Sequence, residues 1–242
     1  MDIIKKGVDI EKIVKQASKL PLVKINREEF LEKELKKYCS EETIQKAIET
    51  TPRKAGISKE LINTIADNCI NYETNKVSAI SFAAGIPGGF AMLGTIPADL
   101  AQYFGHIIRI AQKLGYIYGW REIESVEDNL DSESSNIILM FMGIMFGIEG
   151  ASGTVSKIAS QMAAANAGRH LAKIIAKQAG FKVVQDILKK IGIKVNQRLL
   201  GQFLSKSIPV LGGAISGGIT YASYKPMCYK LKDALSKCPQ AE

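Results

Sequence analysis

The sequence contains little of what metal sites and nucleic-acid-binding domains usually require. Of its 242 residues, four are cysteines and two are histidines, and aromatic residues make up 7%. The cysteines at positions 39, 69, 228 and 238 form no CxxC pair, which disfavours a structural metal site. Zinc-finger and aromatic-rich RNA-binding motifs are also missing, so nucleic acid is a disfavoured partner. We predict no metal and no cofactor.

The short motifs of several large enzyme classes are missing as well. The sequence has no GxxxxGK[ST] phosphate loop, no HExxH, no GxSxG, and no GxGxxG after a strand. The segment GAISGG around Ser216 lacks the spacing of a nucleophile elbow. We predict no catalytic residues, although catalysis by residues scattered through the fold stays open.

A continuous apolar run of about 20 good helix formers, which a membrane-spanning helix needs, is also missing. The uncharged segment Val77–Ala98 is interrupted by Pro87, Gly88 and Gly89, which predicts two short apolar arms around a turn. The segment 137–148 would span about 18 Å as a helix, and the segment 207–224 contains Pro209 and four glycines. A membrane-spanning topology is therefore disfavoured.

The N-terminal sequence MDIIKKGVDIEKIVKQ is too charged to contain the apolar core of a signal peptide. The few cysteines fit a reducing compartment. We therefore expect a cytoplasmic protein, located peripherally on the inner face of the cytoplasmic membrane if it binds lipid.

Helical periodicity, by contrast, is abundant. Apolar residues recur three and four positions apart in 9–20, 26–38 and 40–50, with Ser40 as a candidate N-cap, and again in the longer segment 58–77. No alternating β pattern of useful length is present. We predict an all-α fold: a single multi-helix domain with glycine-rich apolar hairpins packed centrally. Residues 1–57 would form short charged helices on a core made by residues 58–242.

Positive charge is concentrated in the C-terminal part. Residues 151–242 contain 14 Lys/Arg and three Asp/Glu, a net charge of +11, whereas residues 1–150 contain 18 and 21, a net charge of −3. An anionic partner is expected, and the uncharged segments nearby favour lipid over nucleic acid. Helical spacing places the cations of 169–198 in basic stripes, which we predict to face the membrane: Arg169, Lys173, Lys177, Lys190, Lys194 and Arg198. Ordinary surface helices with their apolar faces turned inward are the alternative.

The glycines of the uncharged segments suit closely packed helices. Gly213 and Gly217 are four residues apart, a spacing that lets another backbone approach one helix face. Tight helix crossing inside the fold, insertion into lipid and oligomerisation all remain open for this segment.

The segment 95–120 predicts a helix with a narrow polar seam. Residues 99, 102, 106, 109 and 113 fall within an arc of about 80°, and Thr95 and Pro97 suit its N-terminal end. If the seam faces solvent, it is the solvent-exposed side of a core helix. If the helix is central, Asp99 and Arg109 need partners inside the fold. His106 and Arg109 would then meet a phosphate or carboxylate together, and Tyr116 and Tyr118 complete the candidate ligand-binding set.

Four motifs occur in an order that resembles the bacterial EcsC family. They are GIPGG (85–89), PADL (97–100), HIIRIAQKLGYIYG (106–119) and VLGGAISGGITYA (210–222). The family is named for a protein encoded beside an ABC transporter and is expected to be helical, without a settled activity. The resemblance implies important positions at Gly85, Pro87, Gly88, Asp99, Arg109, Tyr118, Gly119, Pro209, Gly212 and Tyr221. Together with the turn and the helical spacing, it gives a predicted hairpin and packing set: Gly85, Pro87, Gly88, Gly89, Pro209, Gly212, Gly213, Gly217 and Tyr221.

These observations favour a non-catalytic, peripheral membrane-associated or lipid-binding protein of the EcsC type, for which assistance of a membrane process is one expected role. Its partner would be an anionic membrane lipid or an acyl-chain ligand, and a membrane-protein partner and a homo-oligomer stay open. One alternative is a membrane-inserting effector of the pore-forming or defence type. Another is an enzyme acting on a lipid or a small acidic molecule through Asp99, His106 and Arg109.

Overall fold

A computed structural model describes residues 9–21, 23–85, 92–93, 96–120, 133–164, 183–195 and 209–239. Side chains are described for residues 9–21, 23–79, 100–120, 136–163, 183–195 and 221–239. The fold is all-α, as predicted. A two-residue antiparallel pairing of β1 (Met92–Leu93) with β2 (Ile96–Pro97) is the one strand pair in these ranges.

Three short helices form the N-terminal part: α1 (Ile10–Ser18), α2 (Arg27–Leu35) and α3 (Glu41–Glu49). Each begins after a residue whose side chain accepts a hydrogen bond from the first turn: Asp9, Asn26 and Ser40. Such caps satisfy amide groups that have no partner within the helix. The predicted helices and the predicted cap at Ser40 are confirmed.

Two longer helices follow, α4 (Lys59–Gly85) and α5 (Ala98–Ile117). The helix predicted over 58–77 is confirmed, and it continues to Gly85 through the first apolar arm. The helix predicted over 95–120 is also present and begins directly after Pro97. The predicted turn at Pro87, Gly88 and Gly89, and the predicted cap Thr95, lie outside the described residues.

The C-terminal half contains α6 (Glu133–Met145), α7 (Ala151–Ala164), α8 (residues 183–195) and α9 (Pro209–Leu235). The second uncharged segment belongs to α6, in which residues 136–145 are all buried. A helix that is apolar on every side is expected in the interior of a protein. Among the described residues, none of the helices combines the length and apolar character that crossing a membrane requires.

Helix α5 lies at the centre of the fold. It packs against α1, α2, α4, α6 and α9, while α4 and α9 pack along each other. Buried residues from Ile10 to Cys238 belong to a single hydrophobic core cluster. The division at residue 57 stays a prediction, although α1 and α2 both contribute to this core.

Glycine residues terminate helices α5 and α6. Gly119 (φ +85°) follows α5 and Gly147 (φ +64°) follows α6, in the left-handed region that favours glycine. The residue after each glycine donates its backbone N–H to a carbonyl oxygen five residues earlier. Trp120 donates to the Gly115 oxygen at 2.9 Å, and Ile148 donates to the Gly143 oxygen at 2.8 Å. These are Schellman turns, which satisfy carbonyl groups of the last helical turn.

The glycines predicted for the third uncharged segment, with Pro209, lie in the helical backbone of α9. Pro209 is the first residue of this helix, where a missing amide hydrogen has no cost. Tyr221 departs from its predicted packing role because its side chain lies on the surface, 42% exposed, with the Lys225 ammonium 5.4 Å from the ring centroid.

Two of the six cations predicted to face a membrane, Lys190 and Lys194, are described, and both are exposed on α8. Arg169, Lys173, Lys177 and Arg198 lie outside the described residues. The apolar side of α8 is turned inward: Val184, Leu188, Ile191 and Val195 are buried. Within the described part of this helix, its apolar side is therefore covered by the protein itself.

Candidate functional site

The polar seam of α5 lies inside the fold. His106 is 4% exposed and Lys113 is 6% exposed, and Arg109 is partly buried. Of the two arrangements that the sequence left open, the structure has the central one, because other helices surround α5. Cationic side chains in such a place require an internal partner.

That partner is Glu73, a fully buried residue of α4. Its Oε1 atom accepts hydrogen bonds from Lys113 Nζ at 2.6 Å and from Arg109 Nε at 3.1 Å. Its Oε2 atom lies 3.9 Å from His106 Nδ1. Glu73, His106, Arg109 and Lys113 are called the Glu73 cluster below. All three partners lie on α5, so the cluster joins α5 to α4.

The electrostatic balance of the cluster favours an ionised carboxylate. Burial by itself raises the pKa of Glu73, but His106, Lys113 and Arg109 together outweigh burial and hold that pKa well below its usual range. Charge-assisted hydrogen bonds of the length seen with Lys113 are about twice as strong as neutral ones. The carboxylate is therefore charged across the physiological pH range.

Aromatic rings surround the ammonium group of Lys113. Its Nζ atom lies 5.3 Å from the ring centroid of Phe30 on α2 and 5.8 Å from that of Tyr72 on α4. Rings attract a cation through their negative faces, more strongly where water is excluded. Phe30 and Tyr72 therefore add to the stabilisation that Glu73 provides.

One side of the cluster has no direct hydrogen bond. Both atoms, Glu73 Oε2 and His106 Nδ1, are buried, and neither has a hydrogen-bond partner among the residues that the structure describes. The 3.9 Å between them is too long for a hydrogen bond. The His106 backbone is held from the opposite direction, because the buried Tyr224 hydroxyl of α9 donates to the His106 carbonyl oxygen at 2.9 Å.

Cysteine residues near the cluster are poorly suited to nucleophilic chemistry. All four cysteines are free. Burial raises the pKa of the Cys69 thiol to about 12 and also raises the pKa of the Cys228 thiol. Because the thiolate is the reactive form, these thiols are inert at neutral pH. Within the described ranges, no group of three or more His, Cys, Asp or Glu residues is positioned to hold a metal ion.

The structure places the predicted ligand-binding residues at different sites in the fold. His106 and Arg109 meet at Glu73, so the carboxylate that the sequence led us to expect belongs to the chain itself. Tyr118 donates to Asn63 Oδ1 at 2.7 Å, and the Tyr116 hydroxyl donates to the Ile25 carbonyl oxygen at 3.3 Å. Asp99 lies in the first turn of α5, and its side chain is outside the described ones.

Glu73 is the residue that sequence reasoning missed, and Lys113 was placed in the seam without a role. The signal for Glu73 was its position along the apolar side of α4. Glu73 lies four residues after Cys69, three after Ile70 and four before Val77, and all three of these residues are buried. A charged residue on an otherwise apolar helical stripe indicates a partner of opposite charge on a neighbouring element.

Comparisons of the chain with protein-family models, with curated proteins and with solved structures found no match. The resemblance to the EcsC family therefore stays a prediction.

Proposed function

We propose that this protein associates peripherally with anionic membrane surfaces through its basic C-terminal part, as a non-catalytic protein of the EcsC type. The observation that carries the proposal is the net charge of +11 over residues 151–242, against −3 over residues 1–150. An uneven distribution of this size attracts anionic partners over the range of the Debye length, about 8–10 Å at physiological salt.

The described lysines of this part support a surface contact. Lys157, Lys189, Lys190, Lys194 and Lys230 are all exposed. Apart from the exposed Ile193 and the half-buried Val183, the apolar residues of α8 are buried against the protein, so the described helix offers mainly its charged side to a partner. The proposed contact is therefore with lipid headgroups, at the inner face of the cytoplasmic membrane.

The Glu73 cluster supports a structural role for the residues first considered as a ligand site. Arg109 donates to the Glu73 carboxylate, His106 lies beside the same carboxylate, and burial raises the pKa of the nearby Cys69 thiol. We infer that the cluster orients α4 and α5, while the contact with lipid is made elsewhere. An acyl-chain ligand and an enzymatic activity have no comparable observation in their favour.

Vesicle flotation tests the proposal. Protein is mixed with phosphatidylcholine vesicles, with or without phosphatidylglycerol, at low and high salt. We expect flotation with the anionic vesicles at low salt and release at high salt, because screening weakens exposed charges. Equal recovery in the soluble fraction with both compositions at low salt would contradict the proposal.

A dye-release assay on the same vesicles separates surface binding from membrane insertion. Peripheral binding leaves loaded vesicles intact at saturating protein. Leakage that follows the bound fraction would favour the membrane-inserting effector instead.

A further inference from the structure

Helix α8 presents lysines around one exposed apolar side chain. Lys189, Lys190 and Lys194 are exposed, and Ile193 is 51% exposed. Residues three and four positions apart share a side of a helix, so Ile193 lies beside both Lys189 and Lys190. A single exposed isoleucine is ordinary on a protein surface. What distinguishes Ile193 is that lysines surround it.

The same surface continues at the end of α6. Lys194 Nζ donates to the carbonyl oxygens of Phe146 and Gly147, at 2.6 and 3.3 Å. Lys230 of α9 approaches the same corner: a Cβ atom on Gly147 would lie 3.1 Å from Lys230 Nζ and 3.8 Å from Lys194 Nζ. The negative end of the α6 dipole favours ammonium groups at this position. Lys189, Lys190, Ile193, Lys194 and Lys230 are called the α8 basic face below.

Positive charge exceeds negative charge on this face. Asp186 pairs with Lys190 at 2.7 Å. Over the part of the chain that the structure describes, no ion pair joins Lys189, Lys194 or Lys230 to a carboxylate. Folding does not require a partner here, because the apolar side of α8 is already buried. The face is therefore available to an external anion.

We propose that the α8 basic face is the contact with an anionic membrane, with its lysines at the lipid phosphates and Ile193 at the boundary with the acyl chains. This inference rests on the proposed function and assigns it to a surface. Lysine stems reach along apolar surface while their ammonium groups stay at the headgroups. Nucleic acid also presents phosphates, but it has no apolar layer beneath them, so a lipid surface fits Ile193 better.

The lysines are tested with the paired substitutions Lys189→Gln and Lys190→Gln. The matched control is Lys33→Gln with Lys36→Gln, which removes the same charge from exposed positions near α2. With vesicles of phosphatidylcholine and phosphatidylglycerol, we expect the α8 variant to bind about 25-fold more weakly, since each lysine near such a surface contributes about a factor of five. The control should change binding by less than about threefold, because only the net charge differs.

Ile193 is tested with Ile193→Trp, read by tryptophan fluorescence. The natural Trp120 is 1% exposed and gives a nearly constant background. We expect the emission of the variant to shift to shorter wavelength with anionic vesicles, and not with phosphatidylcholine alone or with duplex DNA. A shift with DNA and none with vesicles would overturn the assignment to a membrane.

The proposed function and the assignment to the α8 basic face are contradicted by different results. If the unaltered protein does not bind anionic vesicles at low salt, the proposed function fails. If it binds, but the α8 and α2 charge variants weaken equally and the I193W emission is unchanged, this surface assignment alone is overturned. Circular dichroism of each variant shows whether the fold is retained.

Discussion

Helices α5 and α6 both lie inside the protein, but they are adapted to burial in different ways. Residues 136–145 of α6 carry no charge, and they contact apolar neighbours such as Trp120, whose ring meets Phe141 edge-on with centroids 5.1 Å apart. Helix α5 is as central, yet it carries His106, Arg109 and Lys113, which lie around the Glu73 carboxylate of α4. The comparison shows that polarity along a helix does not by itself indicate exposure.

The largest expected effect comes from removing the carboxylate on which α5 depends. Glu73→Gln keeps the shape of the side chain but leaves the nearby cations without an anion. We expect the free energy of unfolding to fall by about 3–5 kcal/mol, as for other broken buried ion pairs. Urea unfolding followed by Trp120 fluorescence measures this loss. The control Glu32→Gln, at an exposed position of α2, should change stability by less than about 0.5 kcal/mol.

Making α5 more like α6 should recover part of that stability. The double variant Glu73→Leu with Lys113→Met removes both charges of the shortest pair together. We expect it to be more stable than the sum of the two single variants predicts, by about 2 kcal/mol, because neither charge is left alone. A double-mutant cycle by urea unfolding gives this coupling energy. Strict additivity would show that the pair contributes little.

Low pH should reduce the contribution of Glu73 to the free energy of unfolding. The pKa of Glu73 is lower in the folded protein than in the unfolded chain, so the unfolded chain binds the extra proton first. The contribution of Glu73 is complete above the unfolded pKa of about 4.3 and is lost as the pH falls further. The stabilities of the wild type and of Glu73→Gln should therefore converge below that pH. A constant gap down to pH 2–3 would contradict the lowered pKa.

A smaller effect is expected where α6 depends on close packing. A Cβ atom on Gly143 would lie 2.9 Å from Ile187 Cδ1 and 3.2 Å from Ala151 Cβ. We expect Gly143→Ala to lower stability by about 1–3 kcal/mol through overpacking. The matched control is Gly153→Ala on α7, where a Cβ atom meets nothing within 4 Å. Because alanine favours helix, that variant should be unchanged or more stable by up to about 1 kcal/mol. Thermal unfolding of both variants tests the contrast.

The helices themselves could be predicted because their signals are local. Ser40 caps α3 through atoms three residues apart, and the spacing of apolar residues in 58–77 follows directly from helical geometry. Helix α4 then continues to Gly85, through residues that the sequence left open between a hairpin arm and a membrane segment.

The site could be predicted only in part, because its parts come from different helices. The sequence placed His106, Arg109 and Lys113 on one side of a helix, which the structure confirms. Spacing within α5 carries no information on which element covers that side. The position of Glu73 follows from how α4 packs against α5, a long-range contact that a single sequence does not encode in any local pattern.

The bonds from Arg109 and Lys113 to Glu73 join residues 36 and 40 positions apart in the chain. In polymer terms they close a ring that contains the glycine-rich segment after Gly85. The entropy of closing such a ring grows only with the logarithm of its length, at about 0.6 kcal/mol for each doubling. Residues added within the ring should therefore have little effect on its closure. This connection leaves the segment between α4 and α5 free to change in length while the two helices stay in register.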